Sequence, residues 1–228
     1  MSEAGADARS RARAKFVLPA GGEKHEWVDF APRLVAKRYD RLSRLIPLFD
    51  YLFFQPPGFR AKAVERLELR PGQHVLEIGC GTGRNLPFLS RAVAPQGRVL
   101  ARARELCQRN DWRNVDLIEG DAAQYKAPVP LDGVMFGLSY NTMPHHLTVL
   151  REAWDQLRPG GRLVIMDAKL PPGLGGRLVL PFGLWLMKHT MLGNPLIKPW
   201  EDLARLAGAI EMEQFMFGSW YICRAIKS

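Results

Sequence analysis

The segment Glu77-Ile78-Gly79-Cys80-Gly81-Thr82-Gly83-Arg84-Asn85-Leu86 constrains this chain more than any other. It follows a short apolar run, His74-Val75-Leu76-Glu77-Ile78, which reads as a buried strand; the residues after it read as the start of a helix. Glycines permit positive φ and let a ligand come close to the backbone. The N–H groups of a helix start can meet ligand oxygens. In an open α/β sheet, the crevice at the carboxyl end of such a strand is where ligands bind. The spacing also discriminates. A dinucleotide-binding G-x-G-x-x-G would need glycine at position 84, which is Arg84, and no G-x-x-x-x-G-K-[ST] loop occurs. The pattern is E-x-G-x-G-x-G. Its plain alternative is a glycine turn that holds nothing.

The rest of the chain supplies the frame for that loop. Residues 115–118, 134–138 and 162–166 are apolar strand candidates, and 59–67 and 147–157 read as helices. Pro159-Gly160-Gly161 is a turn before the third of these strands. Two further runs, 213–217 and 220–225, are separated by Gly218-Ser219 and read as a closing antiparallel pair. Strands alternating with helices predict an α/β fold with a mostly parallel sheet.

A length of 228 residues and a hydrophobic share of 47% suit one domain. Cys80, Cys107 and Cys223 are widely spaced and odd in number, which argues against a disulfide framework or a metal site. No run reaches the ~18 apolar residues of a membrane span, and residues 1–15 lack a signal-peptide core. Residues 1–24 read as a mobile basic arm, with Arg9, Arg11, Arg13 and Lys15 clustered. The domain proper is then 25–228. The net charge of +9 favours an anionic partner, nucleic acid or acidic membrane, or simply keeps the protein soluble.

At the glycine loop the chain resembles the class I S-adenosylmethionine-dependent methyltransferases. The resemblance implies a Rossmann-like, mostly parallel seven-stranded sheet with helices on both faces and a C-terminal antiparallel strand pair. It implies S-adenosyl-L-methionine as cofactor and S-adenosyl-L-homocysteine as product. Carried over, Gly79, Cys80, Gly81, Gly83, Asn85 and Leu86 line the cofactor, with Glu77 near its amino group. Glu119-Gly120-Asp121-Ala122 resembles the adenine-contacting segment, with Asp121 and Ala122 at the cofactor. Residues 132–139 resemble the fourth strand, with Leu138 and Ser139 at the cofactor. Residues 157–163 resemble the turn before the fifth strand.

One departure stands out. The family carries an acidic residue at the end of its second strand for the ribose hydroxyls, about 20 positions past the loop in comparable folds. Here Gly97-Arg98-Val99-Leu100-Ala101-Arg102 passes from strand signal to helix signal with no acid between. Either about ten residues are absent between Val99 and Leu100, so that these two are not bonded neighbours, or they were deleted, or Glu105 serves instead.

Fold does not give substrate. The N-terminal segment 33–49 has Val35, Tyr39, Leu42, Ile46 and Phe49 at helical spacing beside Arg33, Lys37, Arg41 and Arg44, an amphipathic helix with a basic face. Segment 168–200 contains no acidic residue and mixes Lys169, Arg177, Lys188 and Lys198 with a run of Leu, Phe, Trp and Met. That mixture suits a membrane–water interface; a core helix with a charged edge is the plain alternative. These features resemble the branch containing bacterial phospholipid N-methyltransferases and quinone C-methyltransferases. The first reading is N-methylation of phosphatidylethanolamine toward phosphatidylcholine; the alternative is C-methylation of a ubiquinone or menaquinone precursor. Both imply a lipid substrate and a cytoplasmic protein peripheral on an anionic membrane face. A nucleic-acid substrate is not expected, because Met143-Pro144-His145 is neither Asn-Pro-Pro-Tyr nor Pro-Cys.

An amine acceptor must lose a proton before it can attack. Tyr39, Tyr140, His145 and His146 are the catalytic candidates, with Tyr39 equally a pocket lid and each His equally a water-facing helix start. Asp167 either orients the amine or caps a loop.

Overall fold

The computed structural model describes residues 14–16, 48, 51, 54–93, 98–101, 114–118, 120–143, 145–189 and 193–228. In chain order these form β1 (Ala14–Phe16), α1 (Phe59–Glu65), β2 (His74–Ile78), α2 (Leu86–Val93), β3 (Arg98–Ala101), β4 (Val115–Leu117) and β5 (Leu131–Gly137). There follow α3 (His146–Asp155), β6 (Leu157–Ala168), α4 (Leu174–His189), α5 (Pro199–Ala207), β7 (Ile210–Phe215) and β8 (Trp220–Ile226).

Among the described residues, eight strands make one mixed sheet in the order β1-β7-β8-β6-β5-β2-β3-β4. The run β6-β5-β2-β3-β4 is parallel throughout. β8, β7 and β1 continue it antiparallel. The expected antiparallel pair is therefore present, but the sheet has eight strands where seven were expected. The extra strand comes from residues 14–16, which were expected inside a mobile arm. β7 would otherwise be an edge strand with unpaired backbone groups, and Ala14–Phe16 pairs with Met212, Glu211 and Ile210. Of the amphipathic helix expected over 33–49, only Leu48 is among the described residues, helical and exposed, and the rest lies outside them.

β3 overturns another expectation. Val99 and Leu100 take consecutive register positions opposite Val75 and Leu76, so they are bonded neighbours in an unbroken strand. Ala101 stands opposite Glu77, and within the described residues no acid stands at the end of β3. Glu105 lies outside them.

The sheet alternates with period two, as buried strands must. Leu76, Ile78, Val134, Phe136, Leu163, Ile165, Tyr221 and Cys223 face one side, against Val149, Leu150 and Ala153 of α3 and Leu203 and Ala204 of α5. Val75, Met135, Val164, Met166, Trp220 and Ile222 face the other, against Phe59, Ala63 and Val64 of α1 and Leu86, Leu89 and Val93 of α2. Helices thus cover both faces. The Pro159-Gly160-Gly161 turn is a loop-out within β6: Leu157 pairs with Leu131, Arg162 with Gly133, and the residues between bulge away. Arg224, buried in β8, pairs with Glu68 and Glu211 and ties the C-terminal hairpin to the turn after α1.

Candidate functional site

β2 has β3 on one side and β5 on the other, so the direction of strand succession reverses between β2 and β5. That switch point is where open α/β sheets bind ligands. Ile78, Phe136 and Ile165 stand side by side in the ladder. The chain therefore leaves the sheet at one common edge, after Ile78 in β2, Gly137 in β5 and Ala168 in β6.

The glycine loop emerges there with Gly79, Gly81 and Gly83 all at positive φ. Two tight turns carry it into α2, closed by Gly83 N–H to the Cys80 carbonyl (2.8 Å) and Leu86 N–H to the Gly83 carbonyl (3.0 Å). Gly79 is packed directly against the end of β5. A Cβ built on it would lie 2.6 Å from Ser139 Cβ and 2.8 Å from Met143 Cε. Ser139 Oγ–H donates to the Ile78 carbonyl at 2.7 Å and pins the two strand ends together. Leu138, before it, sits in the left-handed region at φ 58, and its N–H donates to Met166 O. Non-glycine strain of this kind gathers at functional sites.

Beneath the loop runs a buried relay. Arg60 Nη1 donates to Asn85 Oδ1 at 3.0 Å, and Asn85 Nδ2 donates to Glu77 Oε1 at 2.6 Å. Glu77 is buried, and its Oε2 has no hydrogen-bond partner. Burial pushes its carboxyl up to about 7; the Asn85 hydrogen bond and the Arg60 charge oppose that shift. An orphaned carboxylate oxygen beside a positive-φ glycine loop suits the ammonium end of an amino-acid-like ligand. A pocket of about 300 Å³ lined by Gln55, Phe59, Arg60 and Phe88, among others, adjoins the relay through Arg60.

The other sequence candidates divide. Cys80 and Leu86 are buried in the core on the α1–α2 side and brace the loop from below. Asp121 is exposed after β4; its Oδ1 accepts the Ala123 N–H at 3.0 Å, and Ala122 packs on the opposite core. Tyr39 lies outside the described residues.

Tyr140 and His146 are directed elsewhere than the loop. Tyr140 is wholly buried in the core, and its hydroxyl donates to Asp202 Oδ2 of α5 at 3.1 Å. His146 is buried edge-on to the Tyr140 ring, with Nε2 3.8 Å from the same Asp202 oxygen. Burial, then the neighbouring His145, lowers its pKa. His145 is exposed at φ 55, where it begins α3. The arrangement braces α5 against β5.

Sequence reasoning missed Asp202, whose place in the first turn of α5 looks like ordinary helix-start acidity. It placed Asp167 at the end of the fifth of the family's strands, to orient an amine or to cap a loop. Asp167 is buried at the end of β6, opposite Tyr221. Its Oδ1 accepts the Ala168 N–H at 2.8 Å, while its Oδ2 has no partner. Burial raises its pKa to about 7, against the Ala168 hydrogen bond.

Comparison with known proteins adds relatives to this geometry. Residues 44–168 match the family model of protein-L-isoaspartate(D-aspartate) O-methyltransferase (PCMT). The demethylmenaquinone methyltransferase of Geobacillus sp. (strain WCH70) is 27% identical over 193 residues, 80% of each chain. That of Listeria welshimeri is 28% identical over 158 residues, 65% of each chain. A SAM-dependent methyltransferase structure from Aquifex aeolicus has a TM-score of 0.50 at 19% identity, covering 88% of this chain and 100% of its own. Phosphoethanolamine N-methyltransferase 2 of Haemonchus contortus, in complex with S-adenosyl-L-methionine, has a TM-score of 0.58 at 15% identity, covering 74% and 52%. At those identities the two structures establish the fold.

Proposed function

The chain belongs to the PCMT family of class I S-adenosylmethionine-dependent methyltransferases, and we propose that its acceptor is a ring carbon of a reduced quinone of the demethylmenaquinone type. It is a methyltransferase, and its cofactor is S-adenosyl-L-methionine. The acceptor in the family's name does not decide this chain's acceptor, because the family match stops at residue 168. The observation that carries the quinone reading is the match to the Geobacillus demethylmenaquinone methyltransferase along 80% of both chains. Of the two acceptors expected from the sequence, the comparisons favour the alternative, quinone C-methylation. The Haemonchus enzyme, which acts on a phosphoethanolamine, shares the fold alone.

The cofactor supplies a methyl group already activated on a sulfonium, so the protein's work is placement and proton handling. Glu77, Gly79 and Ser139 would hold the methionyl end, the orphaned Glu77 oxygen accepting from its ammonium. Asp121 and Leu138 would flank the nucleoside.

C-methylation forms a carbon–carbon bond as the carbon–sulfur bond of the sulfonium breaks, with S-adenosyl-L-homocysteine as the leaving group. The ring proton lost afterwards passes back to the phenolate oxygen or to water. The ring carbon attacks well when a neighbouring phenolic hydroxyl gives its proton to a base. Asp167 suits that role. It is held dry, it titrates near neutrality, and one of its oxygens has no partner. The residue stands at the carboxyl end of β6, the same end of the sheet at which the glycine loop leaves β2. Tyr140 does not, since its hydroxyl is committed to Asp202 and burial and that carboxylate raise its pKa.

The test is transfer of labelled methyl into vesicles carrying either reduced demethylmenaquinone or phosphatidylethanolamine. Label in the extracted quinone is expected. Label in the phospholipid headgroup, with none in the quinone, would replace this reading with the phospholipid one.

A further inference from the structure

α4 presents its apolar side to solvent. Leu174, Leu178, Phe182 and Trp185 are all exposed, Leu178 at 74%. At 3.6 residues per turn they fall within an arc of about 80°. The opposite side of the helix carries Gly176, Leu180 and Gly183, which are buried or half-buried. A Cβ on Gly183 would touch Leu170 and Pro195, and one on Gly176 would strike the Pro171 carbonyl. The exposed stripe is therefore the outer face of a seated helix. Phe182 and Trp185 are stacked, with ring centroids 6.0 Å apart.

A second element extends the stripe. The turn after β7 holds Met216 and Phe217 in the left-handed region, φ 47 and 57. Phe217 is 94% exposed. The turn abuts the segment leading into α4: a Cβ on Gly218 would lie 3.2 Å from Pro172 Cδ, and Lys169 N–H donates to the Ser219 carbonyl. Backbone strain that projects an aromatic ring into water calls for a partner.

Charge narrows the choice of partner. No Asp or Glu occurs between Asp167 and Glu201, where Lys169, Arg177, Lys188 and Lys198 do. Arg177 is exposed at the flank of the stripe. No helix among the described residues is long and apolar enough to cross a membrane. We propose that the outer face of α4 and the Met216–Phe217 turn dock the protein on an anionic lipid surface, with α4 in the plane of the headgroups. Apolar anchors with cations and no anions bind such surfaces. The docking rests on the quinone reading only for its purpose, bringing the site to an acceptor dissolved in lipid.

The full chain is mixed with sedimentable vesicles of phosphatidylcholine containing about 30% phosphatidylglycerol, without quinone. The double variant Leu178→Ser, Phe182→Ser is compared with it. The native chain should sediment with the vesicles, less so as salt rises. The variant should bind at least ten-fold more weakly, with its Tm and its affinity for S-adenosylmethionine unchanged. Failure of the native chain to sediment overturns the proposal, as does equal binding by the variant. So does a native dimer that the substitutions split while vesicle binding stays absent, since the stripe would then be a self-association face. Because these vesicles hold no acceptor, the outcome is independent of the quinone test. With a tail-less reduced quinone in solution, the two proteins should transfer methyl at equal rates.

Discussion

Ser139 and Gly79 are in contact at the point where the sheet's two halves diverge: the Ser139 side chain leaves no room for a Cβ on Gly79, and its hydroxyl holds the carbonyl of Ile78 at 2.7 Å. The glycine loop thus owes its path to a serine 60 positions away as well as to its own glycines.

Gly79→Ala should therefore cost more than an ordinary positive-φ substitution. It meets both backbone strain and two atoms closer than 3.0 Å. Gly160→Ala has a similar φ of 76 and nothing within 4 Å, so it isolates the strain, about 1–2 kcal/mol. Urea unfolding should find Gly79→Ala less stable than Gly160→Ala, and calorimetry should find its cofactor affinity reduced about ten-fold or more. Equal stability of the two variants would remove the contact argument.

Glu77 makes the stability of the ligand-free protein fall with rising pH. Its pKa is near 4.5 when unfolded and about 7 when folded. Between those values the native state holds a proton that the unfolded chain has released, so stability is full below about 4.5 and declines up to about 7. The loss is on the order of 3 kcal/mol. Glu77→Gln should flatten that part of the curve, measured by unfolding midpoints from acid to neutral pH. Cofactor affinity should rise with pH over the same range in the native protein alone, because the ammonium favours the ionised carboxylate.

Asp167→Asn tests the proton acceptor. It keeps the shape and the Ala168 contact but cannot take a proton. A fall in kcat of about 10²- to 10⁴-fold is expected, with KM for the cofactor unchanged. The native rate should drop on the acid side of about 7, where Asp167 holds its proton, and the variant's residual rate should lose that limb. A variant retaining full kcat would point to another base.

Tyr140→Phe should behave as a core substitution. It deletes the hydrogen bond to Asp202 at a cost of about 1–2 kcal/mol. Steady-state kinetics should keep kcat within about three-fold of native. A much larger loss of kcat would restore Tyr140 to the reacting centre.

How much was legible differs from feature to feature, and the reason is range. The strand His74–Ile78, the glycine loop, the helix after it and the alternation of β5, β6 and β8 are written in neighbouring residues, because backbone periodicity and glycine's freedom at positive φ are local properties. From these the sequence alone determined the α/β frame and the edge of the sheet where the candidate site lies, and the cofactor class followed from the family resemblance of the glycine loop. Tertiary structure decided which polar residues reach that edge. Tyr140 and His146 follow a site-forming strand, yet α5 brings Asp202 against them and takes them into the core, 56 or more positions along the chain. Asp167 became a candidate base through burial opposite Tyr221, and residues 14–16 became a strand only because β7 offered a free edge. Each of these depends on a contact between segments far apart in sequence, so composition and spacing carry no trace of it.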